Sequence, residues 1–269
     1  MSIDLFAVRS VLFLPASNPR AIARARESAA DLVVLDLEDA VKPADKDMAR
    51  DAAAQAVAGQ WPMPVAIRVN GAGTRWHERD MDAVANSGAK LAVLPRTGSA
   101  EQARLARERM ARPLLAMIET ATGVLEAPRI AQEASGLIAG TNDLAADLRL
   151  PPGVGREPLQ TALQSILLAA RSAAVAAFDG VFNRLDDPEG LAAECAESRR
   201  FGFDGKSLIH PDQIAPCHRA FAPRDEEIER ARRLLAAATG GAERFEDEMI
   251  ERMHVEAAER LLARSSVRS

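Results

Sequence analysis

Residues 114–145 read LLAMIETATGVLEAPRIAQEASGLIAGTNDLA. Two short runs in this stretch, Leu114–Ile118 and Gly136–Ala139, carry no polar side chain, and a segment with helical spacing separates them. Runs that are apolar on both faces suit parallel strands with helices packed over them, not half-exposed antiparallel ones. Each run is followed closely by a carboxylate, Glu119 after the first and Asp143 after the second. Two hard oxygen ligands at neighbouring strand ends are what a Mg²⁺ site requires when substrate and water supply the remaining positions.

The same unit recurs in both directions along the chain. Strands are predicted at Ser10–Leu14, Leu32–Asp36, Val65–Val69, Leu91–Pro95, Leu114–Ile118, Gly136–Ala139, Gly180–Asn183 and Gly205–Ile209. Helical patterns at Pro19–Ser28, Lys46–Val57, Glu78–Asn86, Glu101–Met110, Gly123–Glu133, Pro158–Ala177 and Pro188–Phe201 fall between them. Eight βα periods in about 220 residues predict a (β/α)₈ TIM barrel. A doubly wound open sheet is the alternative, and it is weakened by the lack of a GxGxxG turn after the first strand. Beyond the eighth strand the pattern changes. A charged amphipathic helix at Arg224–Ala238 leads through Thr-Gly-Gly-Ala to a last helical stretch from about Asp247 to Arg264. The expected organisation is a barrel over 1–222 and a C-terminal helical extension over 223–269, acting as a cap or as an arm on a neighbouring subunit.

Composition narrows the function. Of 269 residues, 48% are hydrophobic, enough for a substantial core, while only 4% are aromatic and none is Tyr. Stacking on single-stranded bases is therefore not expected. A net charge of -5 argues against nucleic acid as a partner. No apolar run approaches the ~20 residues of a membrane span, and VLFLPA near the N-terminus is too short for a signal segment and is broken by Pro15. Cys195 and Cys217 form neither a CxxC nor a zinc spacing, so they read as reduced thiols of a cytoplasmic protein.

In a barrel of this kind, polar residues at the C-terminal ends of strands face the active site. Those ends carry Asp36-Leu37-Glu38-Asp39, Arg68-Val69-Asn70, Glu119-Thr120, Asn142-Asp143 and His210-Pro211. Any one of them has an ordinary explanation in solubility or helix capping. Acidic and basic groups gathered at one mouth exceed what stability requires. Lys206 would serve as a Schiff-base lysine only if it is desolvated, and the paired carboxylates make that mechanism unnecessary. His77, His218 and His254 have no ligand-like spacing, and His210 is expected to order the mouth through hydrogen bonds.

The segments LFLPASNP (12–19), LVVLDLEDAV (32–41), KDMAR (46–50), AIRVNG (66–71), LPR (94–96), AMIETATGV (116–124), GTNDLA (140–145), GFDGKSLIHPDQI (202–214) and AFAP (220–223) resemble the citrate lyase beta subunit group of the HpcH/HpaI aldolase superfamily. Malyl-CoA and citramalyl-CoA lyases are related to that group. The resemblance spans roughly residues 9–235. It implies a Mg²⁺-dependent barrel that makes or breaks a carbon–carbon bond next to a thioester. Carried over residue by residue, it makes Glu119 and Asp143 the metal ligands, with Glu119 also at the substrate. It makes Arg68 the arginine on the substrate oxyanion and Glu38 a catalytic carboxylate near the keto acid. Asp36 contacts or supports the substrate, and Lys46 and Arg50 take a salt-bridge or phosphate role.

Two departures from the family pattern stand out. Asn142 replaces a Glu beside the metal Asp and bears on substrate preference. Glu251, in Asp-Glu-Met-Ile-Glu (247–251), stands where relatives carry the Asp of a G-x-M-I-D motif that serves an adjacent subunit. The resemblance further implies a CoA thioester and a 2-keto acid as ligands and a homotrimer or hexamer. An acyl carrier protein is the partner if the chain works within a citrate lyase complex. The competing expectations are a regulatory barrel that binds without turnover and a CoA-independent aldolase.

Overall fold

The structure is a computed structural model that describes residues 3–266. The chain divides into two compact units, 1–220 and 221–269. In the first, eight parallel strands close into a barrel in chain order. They are β1 (Ser10–Pro15), β2 (Leu32–Asp36), β3 (Val65–Arg68), β4 (Leu91–Leu94), β5 (Leu114–Ile118), β6 (Gly136–Ala139), β7 (Ala176–Asp179) and β8 (Gly205–Leu208). Closure is made by β1 against β8, with Ser10 opposite Lys206 and Leu12 opposite Leu208.

Helices α1 (Pro19–Arg26), α2 (Lys46–Ala58), α3 (His77–Ala85), α4 (Ala100–Met110), α5 (Ala121–Ala131), α6 (Thr141–Asp147), α7 (Gln160–Ser172) and α8 (Pro188–Phe201) alternate with the strands, and α9 (Ile214–Phe221) follows β8. Local chemistry sets their starts. Asn18, Ser99, Thr120 and Asp187 each cap a helix by accepting backbone N–H bonds.

Side chains two apart along a strand share a face. The lumen is filled from alternate positions: Val11 and Phe13, Leu32 and Val34, Ala66, Leu91 and Val93, Leu115 and Met117, Ile138, Ala176 and Phe178, with Leu5 and Val8 closing the bottom. Continuing those rows one step towards the C-terminal ends leads to Asp36 after Val34, Arg68 after Ala66 and Glu119 after Met117. The pattern that packs the core therefore aims these three side chains into the mouth.

Two predicted boundaries are corrected. The seventh strand is Ala176–Asp179, before the expected Gly180–Asn183, and α7 ends at Ser172. The run AAVAAF has helical propensity throughout, but Ala174 takes φ 55, a left-handed conformation that breaks the helix. The last helical stretch begins later than Asp247. Residues Glu243–Phe245 (β9) and Glu248–Ile250 (β10) form an antiparallel hairpin turning through Glu246 at φ 54, and α11 runs over Arg252–Ser266. With α10 (Asp225–Ala237), these elements make the second unit, whose own core is Ala231, Leu234, Phe245, Ile250 and Ala258. Among the described residues no helix is long and apolar enough to cross a membrane.

Candidate active site

A cavity of about 390 Å³ opens at the C-terminal ends of the barrel strands. Its wall includes Asp36, Asp39, Arg68, Glu119, Asn142 and Asp143.

Arg68 is gripped from several sides. Its Nε donates to Asp36 Oδ1 at 2.6 Å and its Nη2 to Asp36 Oδ2 at 2.7 Å, a fork-to-fork pair. Its Nη1 lies 3.0 Å from Glu38 Oε2 and 3.7 Å from Met117 Sδ, and the guanidinium sits over the Phe13 ring. Asp36 also accepts from the Glu38 and Ala40 backbone N–H groups at 2.8 and 3.0 Å. Four acceptor positions on Asp36 are thus taken by the protein. Its visible work is to hold Arg68 and the 37–40 turn, while it also forms part of the cavity wall.

The turn is also pinned from below. Lys46 Nζ donates to Leu37 O (2.8 Å), Glu38 O (2.7 Å) and Asn70 Oδ1 (2.5 Å). Arg50 bridges Asp80 and Asp47, and Asp80 in turn accepts from Asn70. Lys46 and Arg50 are therefore scaffold.

Glu119 is almost wholly buried, with 2% of its surface exposed. Its Oε1 accepts the Arg96 backbone N–H at 2.5 Å. Behind it, a Cβ on Gly140 would overlap the Glu119 carboxylate, so the glycine that opens GTND is there for space. Asp143 lies in the first turn of α6, where a helix favours negative charge. Its Oδ1 meets Arg96 Nη1 at 3.1 Å.

Burial and mutual repulsion show in the acid strengths. Burial pushes the Glu38 carboxyl up to about 8 despite Arg68, and it pushes Glu119 up to about 7, with Asp143 adding to the rise. Asp143 is raised by burial and by Asp39. Glu38 Oε2 has no hydrogen-bond partner among the described residues, although Arg68 neutralises part of its charge. An acidic mouth of this kind is unfavourable alone and is relieved by a divalent cation.

The donor set fits Mg²⁺. No three His, Cys, Asp or Glu side chains among the described residues form a protein-only metal cage. Mg²⁺ is commonly held by one or two carboxylates, with water and substrate oxygens completing the octahedron. Glu119 and Asp143 supply such a pair, both hard and both facing the cavity.

Other candidates have different surroundings. Asn142 and Asn183 exchange amide hydrogen bonds at 3.2 and 2.7 Å on the cavity rim, joining the loops after β6 and β7. Lys206, fully buried, points away from the lumen to Asp179 (2.8 Å) and Glu194 (2.6 Å), an ion-paired structural lysine. His210 Nδ1 accepts the Asp212 backbone N–H and so caps the turn after β8. His218 Nε2 faces both Ser10 Oγ (2.8 Å) and Asp31 Oδ2 (3.3 Å), so one nitrogen serves both partners and no nucleophile relay exists there. Cys195 and Cys217 are free and buried.

Glu251 belongs to the second unit. It is exposed at the junction of β10 and α11, and its backbone N–H donates to His254 Nδ1. Arg96, with φ 47 and contacts to both Glu119 and Asp143, was not singled out from sequence. Its place in LPR at the end of β4 was the available signal.

Known proteins resemble the chain over nearly its whole length. The family described as HpcH/HpaI aldolase/citrate lyase matches residues 9–211, and one described as C-C bond lyase of the TIM-barrel fold matches residues 157–268. The (3S)-malyl-CoA thioesterase of Cereibacter sphaeroides is 38% identical over 268 residues, covering 96% of this chain and 94% of that protein. Citrate lyase subunit beta of Escherichia coli is 35% identical over 253 residues, covering 87% and 83%. The crystal structure of CitE from Mycobacterium tuberculosis, in complex with magnesium, acetoacetate and coenzyme A, has a TM-score of 0.86 and 35% identity, covering 97% of this chain and 99% of that one.

Proposed function

The chain belongs to the HpcH/HpaI aldolase/citrate lyase family, and from that premise we propose that it is a Mg²⁺-dependent carbon–carbon lyase. Its substrate is a 3-hydroxy-3-carboxyacyl thioester, which it cleaves reversibly to a 2-keto acid and an acetyl thioester. Citramalyl-CoA, malyl-CoA and citryl thioesters are the members of that class, giving pyruvate, glyoxylate and oxaloacetate respectively. The observation that carries the reading is the juxtaposition at one cavity of an arginine gripped by Asp36 and Glu38 with the carboxylates of Glu119 and Asp143.

Glu119 and Asp143 would hold Mg²⁺, which when bound would supply Lewis-acid polarisation of the substrate. Arg68, already fixed in orientation, stabilises the negative charge on the oxygen that becomes the keto group. Glu38, in contact with Arg68, accepts the hydroxyl proton in its carboxylate form as the carbon–carbon bond breaks. The electron pair of that bond passes to the thioester as its enolate. Glu251 of a second copy in a homotrimer or hexamer returns a proton to the enolate carbon, completing the acetyl thioester.

The likeness to (3S)-malyl-CoA thioesterases favours a second reading, hydrolysis of a malyl thioester in the same cavity. Incubation with each CoA thioester separates the two. Cleavage yields keto acid and acetyl-CoA, whereas hydrolysis yields the free hydroxy acid (malate, citramalate or citrate) and free CoA. Turnover only with a thioester on an acyl carrier protein would assign the chain to a multi-subunit citrate lyase.

A further inference from the structure

Ser207 is the one inward-facing side chain on β8 whose chemistry the lyase reading leaves unused. Its neighbours Lys206 and Leu208 face the other way, with Lys206 bound to Asp179 and Glu194 outside the lumen. Ser207 is 2% exposed and lies on the cavity wall. Its Oγ has no hydrogen-bond partner among the described residues. The other buried hydroxyls are satisfied: Ser10 by His218, Thr97 by the Leu94 carbonyl, and Ser198 by Asp179 and the Glu194 carbonyl. A buried hydroxyl left unpaired is costly, so one on a cavity wall favours a ligand group that can accept its hydrogen bond.

Position says which part of a ligand it meets. Ser207 is in register with Val11, two residues before Phe13 on β1, and it lies two residues before Ile209, which follows the end of β8. It therefore stands deep in the cavity, whose wall also includes Phe13, Met117, Ala139 and Val181. The carbinol carbon of the proposed substrate carries four groups. Its hydroxyl and carboxylate belong to Arg68 and the metal carboxylates on the β2, β3, β5 and β6 side. Its thioester arm must leave through the mouth, because the carrier is too large for the cavity. The fourth group, the substituent that distinguishes one keto acid from another, is left to point at the floor.

We propose that Ser207 is a specificity-determining residue that reads this substituent, favouring a group that bears an oxygen over hydrogen or methyl. The inference rests on the keto-acid reading of the cavity. A methyl group would meet the apolar walls and leave the hydroxyl unpaired. A carboxymethyl group would accept its hydrogen bond and have its charge offset by Arg68, which sits over Phe13 and beside Met117.

The test is calorimetric binding of freshly dissolved oxaloacetate, pyruvate and glyoxylate to the full chain in Mg²⁺, for wild type, Ser207→Ala and Ser207→Thr. Wild type is expected to prefer oxaloacetate. Ser207→Ala should weaken oxaloacetate by about tenfold relative to pyruvate, the loss of one hydrogen bond to a charged group. Ser207→Thr keeps the hydroxyl and should keep the preference. Without ligand, Ser207→Ala should melt no lower than wild type, since it removes an unpaired group. Equal losses for all three acids, no change in their ratio, or a lower melting temperature for ligand-free Ser207→Ala would each overturn the assignment while leaving the keto-acid site intact. A wild-type protein that binds none of the three would instead overturn the site reading, and the assignment with it.

Discussion

Replacing Arg68 by Lys keeps the positive charge and removes the fork. In the structure the guanidinium spends Nε and Nη2 on the two oxygens of Asp36, at 2.6 and 2.7 Å, and sets Nη1 3.0 Å from Glu38. A lysine ammonium is a point donor on a flexible stem and cannot reproduce that spread. One charge-assisted bond is lost outright, at about 2 kcal/mol. For a domain of this size that lowers the melting temperature by about 5 °C. The catalytic effect is separate. If Arg68 stabilises the oxyanion formed as the bond breaks, the rate falls about 10²-fold. kcat and kcat/KM then fall together, because the lost interaction belongs to the transition state. The assays are thermal unfolding by circular dichroism and thioester cleavage followed by coupled reduction of the keto acid. A variant that melts lower yet turns over normally would make Arg68 a purely structural ion-pair member. One that raises KM alone would assign it to ground-state binding.

Lys206→Met should destabilise the barrel by about 3 kcal/mol, since breaking a buried pair strands a charge, while Mg²⁺ binding persists. Borohydride reduction of wild type with a keto acid should leave its mass unchanged, and a covalent adduct on Lys206 would restore the Schiff-base alternative. Stability should also fall in acid. Burial pushes Asp179 up, but Lys206 and Arg156 outweigh it and hold its carboxyl at about 2, below the ordinary 3.8. A group lowered on folding contributes stability above its unfolded value and loses it as pH falls, here between about pH 4 and pH 2, at about 2 kcal/mol. Urea midpoints that stay flat from pH 4 to pH 2.5, below the range in which the raised carboxyls of Glu38 and Glu119 add stability on protonation, would contradict this. Glu251→Gln should cleave slowly and lose proton exchange into acetyl-CoA. Mixing it with Arg68→Ala chains should restore activity, because one site can draw a sound Arg68 and a sound Glu251 from different chains. Unaltered exchange in Glu251→Gln would reduce that residue to a helix-terminal charge.

The barrel was legible because its strands are short apolar runs at regular intervals, and because the alternation that fills the lumen also carries Asp36, Arg68 and Glu119 to the strand ends. Reading failed where local propensity and tertiary structure disagree. The alanines of 173–177 look helical, and only the left-handed turn at Ala174 releases β7 from α7. The hairpin at 243–250 is charged outside and anchored by Phe245 and Ile250 alone, so it carries little strand signal. At the site, residue types and order suggested which side chains meet, but not what each does. That Asp36 is saturated by Arg68 and two backbone N–H groups depends on a turn conformation. Arg96 carries little sequence signal because half of its contribution is a backbone N–H, which any residue but proline possesses. Ser207 is one hydroxyl in an apolar strand, and its lack of a partner is visible only once the strand is placed.

Glu119 and Asp143 are proposed to hold Mg²⁺ for carbon–carbon cleavage of a hydroxyacyl thioester. Product analysis of citramalyl-, malyl- and citryl-CoA incubated with wild type, Glu119→Ala and Asp143→Ala, each with Mg²⁺ and with EDTA, tests it most directly. The expected result is equal amounts of a 2-keto acid and acetyl-CoA from wild type in Mg²⁺, and none with EDTA or with either variant, although both variants remain folded. Keto acid formed undiminished in EDTA or by the variants, or free CoA and the parent hydroxy acid as the only products, would contradict it.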